Sequence, residues 1–255
     1  MKKKFAVFTI VKDESVFLPI WLKHYRQTFA DEDIYVIDHE SKDGSTENLG
    51  VNVIPVFNAE AFKHQWLVDQ VQRVQAELLE KYEVVLFAES DEIVYTEREG
   101  TLLEALEDFR NSNHEYVNVV GYECVHIMDE EGPLDLSKPI VAQRQKWIKE
   151  TQYDKPLLTK VPLSYAVGFH TCDRQTNFGF GLCMFHLHRM DYDLMLKRHI
   201  WRNTEWRLAN EGGLGWQHHV HEAEAVRNLV RNGFSGNSGN CTTIPQEHQA
   251  KLAHL

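Results

Sequence analysis

The stretch VVLFAESDEIVY, residues 84–95, sets the first constraint on the fold. Val84 to Ala88 is continuously apolar, as a strand covered on both faces would be. Glu89, Asp91 and Glu92 then arrive within four positions, and Ile93-Val94-Tyr95 follows. Carboxylates crowded at a strand end repel one another. They persist there if solvated, protonated or bound to a cation. Two readings follow. One is an exposed acidic turn. The other is a cation site in which Glu89 and Asp91, two apart, turn toward one hard divalent ion held by oxygens. The apolar runs on both sides favour the cation.

Upstream, strand and helix signals alternate. Phe5 to Val11 is β-rich and apolar. Val16 to Tyr25 carries Phe17, Trp21 and Tyr25 at helical spacing, with Pro19 in the first turn. Asp33 to Asp38 and Val51 to Phe57 read as strands. Ser41 to Ser45 is turn chemistry, with Ser45 placed to cap a helix. Ala61 to Tyr82 is a long helix with Leu67, Val71, Val74, Leu78 and Tyr82 on one stripe. Such alternation predicts a mostly parallel α/β sheet, whose ligands gather at the carboxyl ends of the strands. The acids after Ala88 occupy such an end.

Downstream the pattern is irregular. Leu102 to Phe109 predicts a helix and Tyr116 to Met128 a strand or bent pair. Leu157 to Lys160, Tyr165 to His170 and Leu182 to His188 are short strand candidates, and Asp191 to Ala209 a helix. From Gly233 onward the chain is polar, and its end is expected to be mobile.

The bulk composition excludes several classes. The 255 residues suffice for one large core without disulfide staples. A net charge of −11 argues against a nucleic-acid binder driven by phosphate contacts. Cys124, Cys172, Cys183 and Cys241 form no C-x-x-C pair, which fits a reducing compartment and not a cysteine zinc knuckle. The basic start Met1 to Lys4 is followed by too short an apolar run for a signal peptide. No apolar run approaches the ~20 residues that cross a bilayer. A cytoplasmic protein is expected, with peripheral membrane contact left open.

Three motifs in order resemble glycosyltransferase family 2. Phe8-Thr9-Ile10-Val11-Lys12-Asp13-Glu14 is similar to that family's first strand and its acidic end. Val36 to Thr46 resembles its second motif, an aspartate followed by S-x-D-G-[ST]. Leu86 to Glu92 resembles its D-x-D-E segment, with Glu89 in place of the first aspartate. The likeness covers residues 5 to 95. It implies a GT-A, Rossmann-like, mostly parallel sheet flanked by helices, joined to an irregular α+β half. Residues 1–114 would bind the nucleotide-sugar donor, residues 115–232 the acceptor, and residues 233–255 would form a polar tail. The reaction implied is transfer of a sugar from a nucleotide sugar, a UDP-sugar above all, to the hydroxyl of a glycan, lipid-linked or protein acceptor. Inversion at the anomeric carbon and a Mn²⁺ or Mg²⁺ ion on the diphosphate are implied as well.

The resemblance also implies roles. Thr9, Val11, Glu14 and Ser90 would line the nucleotide-sugar pocket. Asp38 would accept a hydrogen bond from the base, as an ionised carboxylate can. Asp43 and Ser41 more readily fix the turn. Asp91 inherits the metal contact more securely than Glu89. His186 and His188 alternate along one strand face, and His186, between Phe185 and Leu187, is the candidate to add a nitrogen ligand. A general base must deprotonate the acceptor in an in-line displacement. Asp173 is the first candidate and His170 the second. Lys12 either neutralises phosphate or is solvated, one of His64 and Arg73 on the long helix would face the donor, and Lys197, Arg198, Arg202 and Arg207 on the late helix either approach a diphosphate or an acidic acceptor or form its wet face. His218, His219 and His221 lack the pattern of a zinc helix. Two other classes stay open: a metal-dependent phosphohydrolase or nucleotidyltransferase using Glu89, Asp91, His186 and His188, and a non-catalytic UDP-binding module.

Overall fold

The structure is a computed structural model that describes residues 1–205 and 240–255, together with 224, 225, 227 and 228. Phe5 to Val11 are buried without exception and form the body of β1 (Lys3–Val11). The helix α1 (Phe17–Tyr25) buries Phe17, Leu18, Trp21, Leu22 and Tyr25. Then come β2 (Ile34–Asp38), β3 (Asn52–Pro55), α2 (His64–Lys81) and β4 (Tyr82–Phe87). On α2, Val68, Val71, Val74 and Leu78 face the core. Each such side chain stabilises the fold by about 1.5–3 kcal/mol on burial. Gln75 interrupts the apolar stripe. Its amide donates to Tyr165 Oη at 2.7 Å and accepts from Leu163 N–H at 2.9 Å, so the buried polar group is satisfied.

The remaining elements are β5 (Glu92–Thr96), α3 (Leu102–Asn111), β6 (Tyr116–Val125), α4 (Ile140–Gln143), β7 (Lys146–Lys149), β8 (Leu158–Thr159), β9 (Phe178–His186), α5 (Tyr192–Glu205), β10 (Thr242–Thr243) and α6 (Gln246–Leu252). The sheet runs β10-β7-β6-β8-β4-β1-β2-β3, with β9 pairing β6 and β5 beside this path. From β3 to β4 every pairing is parallel. The fold is therefore mixed α/β, with a largely parallel central sheet flanked by helices. After β1 the chain moves to β2 and β3 on one side, then returns to β4 on the other. The carboxyl ends of β1 and β4 thus form a topological switch point, where open α/β sheets bind ligands.

Three expectations differ from the structure. Ser45 begins no helix: Asp43 turns back to accept from Ser45 N–H at 2.9 Å, and the segment stays a series of turns. Tyr165 to His170 is a loop with a single bridge, Tyr165 to Cys172, because Gly168 and Phe169 take positive φ angles of 85° and 60°. The expected mobile end is packed over residues 240–255. Thr242-Thr243 pairs with β7, and Ile244, Leu252 and Leu255 are buried. No helix among the described residues is long and apolar enough to cross a membrane.

Candidate active site at the β1 and β4 ends

Val11 ends β1 and Glu14 follows it, Glu89 and Ser90 follow β4, and Arg198 and Arg202 reach in from α5. Together they line a cleft of about 50 Å³ at the switch point. A second hollow of about 200 Å³ adjoins it, sharing Glu14 and Arg198 and adding Phe17, Lys197 and Trp201. A larger depression of about 510 Å³ lies against Lys3, Tyr35 and Tyr82, at the amino ends of β1 and β4. Strand-end geometry favours ligands at the other end, so the cleft is the candidate site.

The acids of residues 89–92 are held by cations of the chain itself. Lys155 Nζ lies 2.7 Å from Glu89 Oε2 and 2.6 Å from Glu92 Oε1, with its side chain 3% exposed. Glu92 Oε2 also accepts from Glu89 N–H at 2.9 Å, which fixes the turn between β4 and β5. Arg198 joins the other pair of acids. Its Nη1 donates to Asp91 Oδ2, and its Nε and Nη2 donate to Glu14 Oε1 at 3.0 and 2.6 Å. Its guanidinium also lies over the Phe17 ring, 4.6 Å from the centroid.

The histidines complete the second cluster. His186 Nδ1 lies 2.7 Å from Glu123 Oε2, and its Nε2 lies 3.6 Å from Asp91 Oδ1. His188 Nδ1 is 3.5 Å from Asp91 Oδ2, and the two imidazoles stack within 9° of parallel. Burial opposes the charged form of His186, but the Glu123 and Asp91 carboxylates outweigh it and push the imidazole up to about 10. Burial also opposes ionisation of Asp91, yet Arg198 and His186 hold its carboxyl well below the usual range. Lys155 does the same for Glu89 against the pull of burial. For Glu92 and Glu14 burial wins, and both are raised.

The resemblance implies a divalent cation, and the donor set can be tested for one. Glu89 does not fit, because Lys155 already holds its carboxylate. Asp91 and His186 fit once Arg198 leaves Asp91 and the imidazole gives up its Nε2 proton: with Nδ1–H held by Glu123, His186 then presents Nε2 toward Asp91, the arrangement that orients a metal-ligating histidine. Among the described residues no three His, Cys, Asp or Glu side chains are arranged to hold a metal by themselves. Asp91 and His186 would supply two ligands, and further ligands would have to come from substrate oxygens and water.

The other predicted residues divide. Val11, Glu14 and Ser90 line the cleft. Thr9 is fully buried in β1, and its Oγ1 makes no hydrogen bond among the described residues. Asp38 stands beside the cleft, where its Oδ1 accepts from Ser41 N–H at 2.9 Å and its Oδ2 from Thr46 Oγ1 at 3.1 Å. Asp43 accepts from Ser15 N–H at 3.0 Å, and Ser41 Oγ from Asp13 N–H at 3.1 Å, so these residues lace the loops after β1 and β2 together. Lys12 donates to His39 O at 3.0 Å. Arg73 pairs with Glu77 at 2.7 Å on an exposed face, and His64 packs edge-on to Phe62.

Asp173 is exposed and accepts from Ser164 N–H at 3.1 Å, which places it in the 164–173 loop and not among the acids. His170 is nearer. Burial and the Lys155 charge lower its affinity for a proton, and Glu89 and His186 also act on it. Its Nδ1 bonds Gln152 O at 2.5 Å, so Nε2 keeps its lone pair. Arg207, His218, His219 and His221 lie outside the described residues.

Sequence reasoning missed Lys155, Glu123 and an aromatic wall in which His39 lies 4.6 Å from Trp66 and 5.7 Å from Phe62. Glu123 had a signal: it is an acid inside the apolar strand YVNVVGYECV. Lys155 had none, since its partners are more than sixty residues away.

No protein-family model matches the sequence, and no curated protein matches it. Among solved structures, the chain is similar to a mannosyltransferase from Pyrobaculum calidifontis in complex with GDP-mannose and Mn²⁺. The identity is 9%, 96% of this chain and 77% of that chain are covered, and the TM-score is 0.39. It is also similar to a CMP:2-keto-3-deoxy-manno-octonic acid synthetase complexed with CTP, at 12% identity over 91% of this chain and 87% of that one, with a TM-score of 0.32.

Proposed function

We propose that this chain is a glycosyltransferase that moves a sugar from a UDP-sugar to an acceptor hydroxyl. One observation carries the reading: the loops after β1 and β4 bring Val11, Glu14, Ser90 and Asp91 together at the switch point, with the Asp38 loop laced alongside. Asp38 supports the uridine assignment. An ionised carboxylate accepts roughly four hydrogen bonds, and Asp38 accepts two among the described residues. His39 offers a neutral aromatic flank, since burial and then Lys12 lower its imidazole to about 4. Residues 1–114 hold the donor in this reading and residues 115–232 the acceptor.

Asp91 and His186 would hold a Mn²⁺ or Mg²⁺ ion. When bound, that ion neutralises charge on the leaving diphosphate. Glu123 orients His186, and Lys155 fixes the turn that carries Asp91. His170, through Nε2, takes the proton from the acceptor hydroxyl as it attacks the anomeric carbon. The bond to the nucleoside diphosphate breaks in the same in-line step, and a single displacement inverts the centre. Asp173 supports the loop that presents His170.

A second reading, a nucleotidyltransferase, draws on the assembly of Glu89, Asp91, His186 and His188 in one place. A thermal-shift panel separates the two. UDP and UDP-sugars with Mn²⁺ should raise the melting temperature above that with CTP or GDP, because a ligand of the native state stabilises by mass action. Pyrophosphate release from a nucleoside triphosphate and a sugar phosphate would favour the second reading.

A further inference from the structure

The cleft of about 50 Å³ is far smaller than the ~300–1,000 Å³ of ligand pockets, so a nucleotide sugar needs it opened. Arg198 closes it. Its guanidinium spans from Glu14, after β1, to Asp91, after β4, with His188 Nδ1 at 3.2 Å and Phe17 beneath. The two carboxylates stand at the ends of core strands, whereas Arg198 comes from a separate helix. It is therefore the part able to exchange partners.

Guanidinium forks bind phosphate as readily as carboxylate. A diphosphate entering beside Glu14, Glu89 and Asp91 brings more negative charge to an acidic site and needs a cation. We infer that Arg198 is a diphosphate-binding residue that is parked on Asp91 and Glu14 in the free protein. It moves to the donor diphosphate on binding, which releases Asp91 to a divalent ion. This rests on the UDP-sugar reading and adds two things to it. Arg198 and the metal compete for Asp91 when no nucleotide is present. Nucleotide and metal help each other when both are.

The test measures Mn²⁺ binding by electron paramagnetic resonance and UDP binding by calorimetry in wild type, Arg198→Ala, Arg198→Lys and Glu14→Gln. Wild type should bind Mn²⁺ weakly alone and about tenfold more tightly with UDP, within the usual span of coupling between sites. Arg198→Ala should bind Mn²⁺ alone about tenfold more tightly than wild type and UDP with Mn²⁺ about tenfold less tightly. Arg198→Lys, which keeps the charge without the fork, should fall between them on both readouts. Glu14→Gln keeps Arg198 but removes one anchor, so it should also strengthen binding of Mn²⁺ alone, which keeps the test available if Arg198→Ala fails to fold. Unchanged Mn²⁺ and UDP affinities in folded Arg198→Ala would make the arginine a structural tie and overturn the inference. If wild type binds no UDP at any Mn²⁺ concentration, the proposed function falls and takes the diphosphate role with it. The Mn²⁺-alone arm distinguishes that outcome from failure of the parking contact.

Discussion

Two acid clusters sit within a few residues of each other and are built alike, yet they serve different ends. In the first, Lys155 is sealed between Glu89 and Glu92, and its side chain is 3% exposed. In the second, Arg198 bridges Asp91 and Glu14 at the cleft, and its side chain is 12% exposed. In the first pair Glu89 reaches the cleft, but Glu92 and the lysine between them are sealed, so the lysine is part of the scaffold. The second has histidines on one side and the cleft on the other, so its cation is replaceable. The lesson concerns the segment ESDE itself. Among four adjacent residues, Glu89 and Glu92 pair with Lys155 and Asp91, the acid proposed to hold the ion, pairs with Arg198, so the division is set by which distant cation each one meets.

Stability should separate the clusters most strongly. Lys155→Met leaves the fully buried Glu92 without its cation, which should cost about 3–5 kcal/mol in urea denaturation. Arg198→Ala should cost less, since Arg198 lines the cleft and its removal lets water reach Asp91 and Glu14. Equal losses would erase the distinction drawn here.

Turnover should follow the proposed base, His170, which is felt by Lys155 and Glu89 of the first cluster. His170→Ala should lower kcat by roughly 10²–10⁴-fold, the usual contribution of a general base. Asp173→Asn should do so by much less. A larger loss from Asp173→Asn would return the base to the aspartate.

His186 offers a pH test. Its imidazole is raised to about 10 in the folded protein, against about 6.5 when unfolded. Its ion pairs with Glu123 and Asp91 therefore stabilise the fold fully below about pH 6.5, and that contribution is lost as pH rises through about 10. Wild type should lose more stability between pH 7 and 10.5 than His186→Gln does. Parallel alkaline curves for the two proteins would show that the imidazole is neutral.

The smallest effect concerns the base. Asp38→Ala should weaken UDP binding by about 1–3 kcal/mol, the cost of leaving a base donor unpaired. Equal affinity for GDP and UDP in wild type would count against this role.

Much of this was legible in the chain. The apolar runs of β1 and β4 read as parallel strands because both faces are covered, and the 3.6-residue stripe of α2 is visible as spelled. The position of Glu89 to Glu92 at a strand end followed from those two facts. Their partners did not follow. Lys155 sits in a loop with no periodicity, between Asp154 and Pro156, and only tertiary folding carries it to Glu89. Arg198 was one of several basic residues on a helix whose phase alone does not say which reaches inward. The C-terminal α6 is seven residues long and buries only His248 and Leu252, too little apolar content to be distinguished from a tail.

The most direct measurement is calorimetric titration of UDP into wild type and Asp91→Asn, each with and without Mn²⁺. The account predicts binding to wild type that strengthens with Mn²⁺, and a mutant in which Mn²⁺ no longer helps. Mn²⁺-dependent UDP binding of undiminished strength in Asp91→Asn would contradict it, because the cation and the diphosphate would then meet somewhere other than the second cluster.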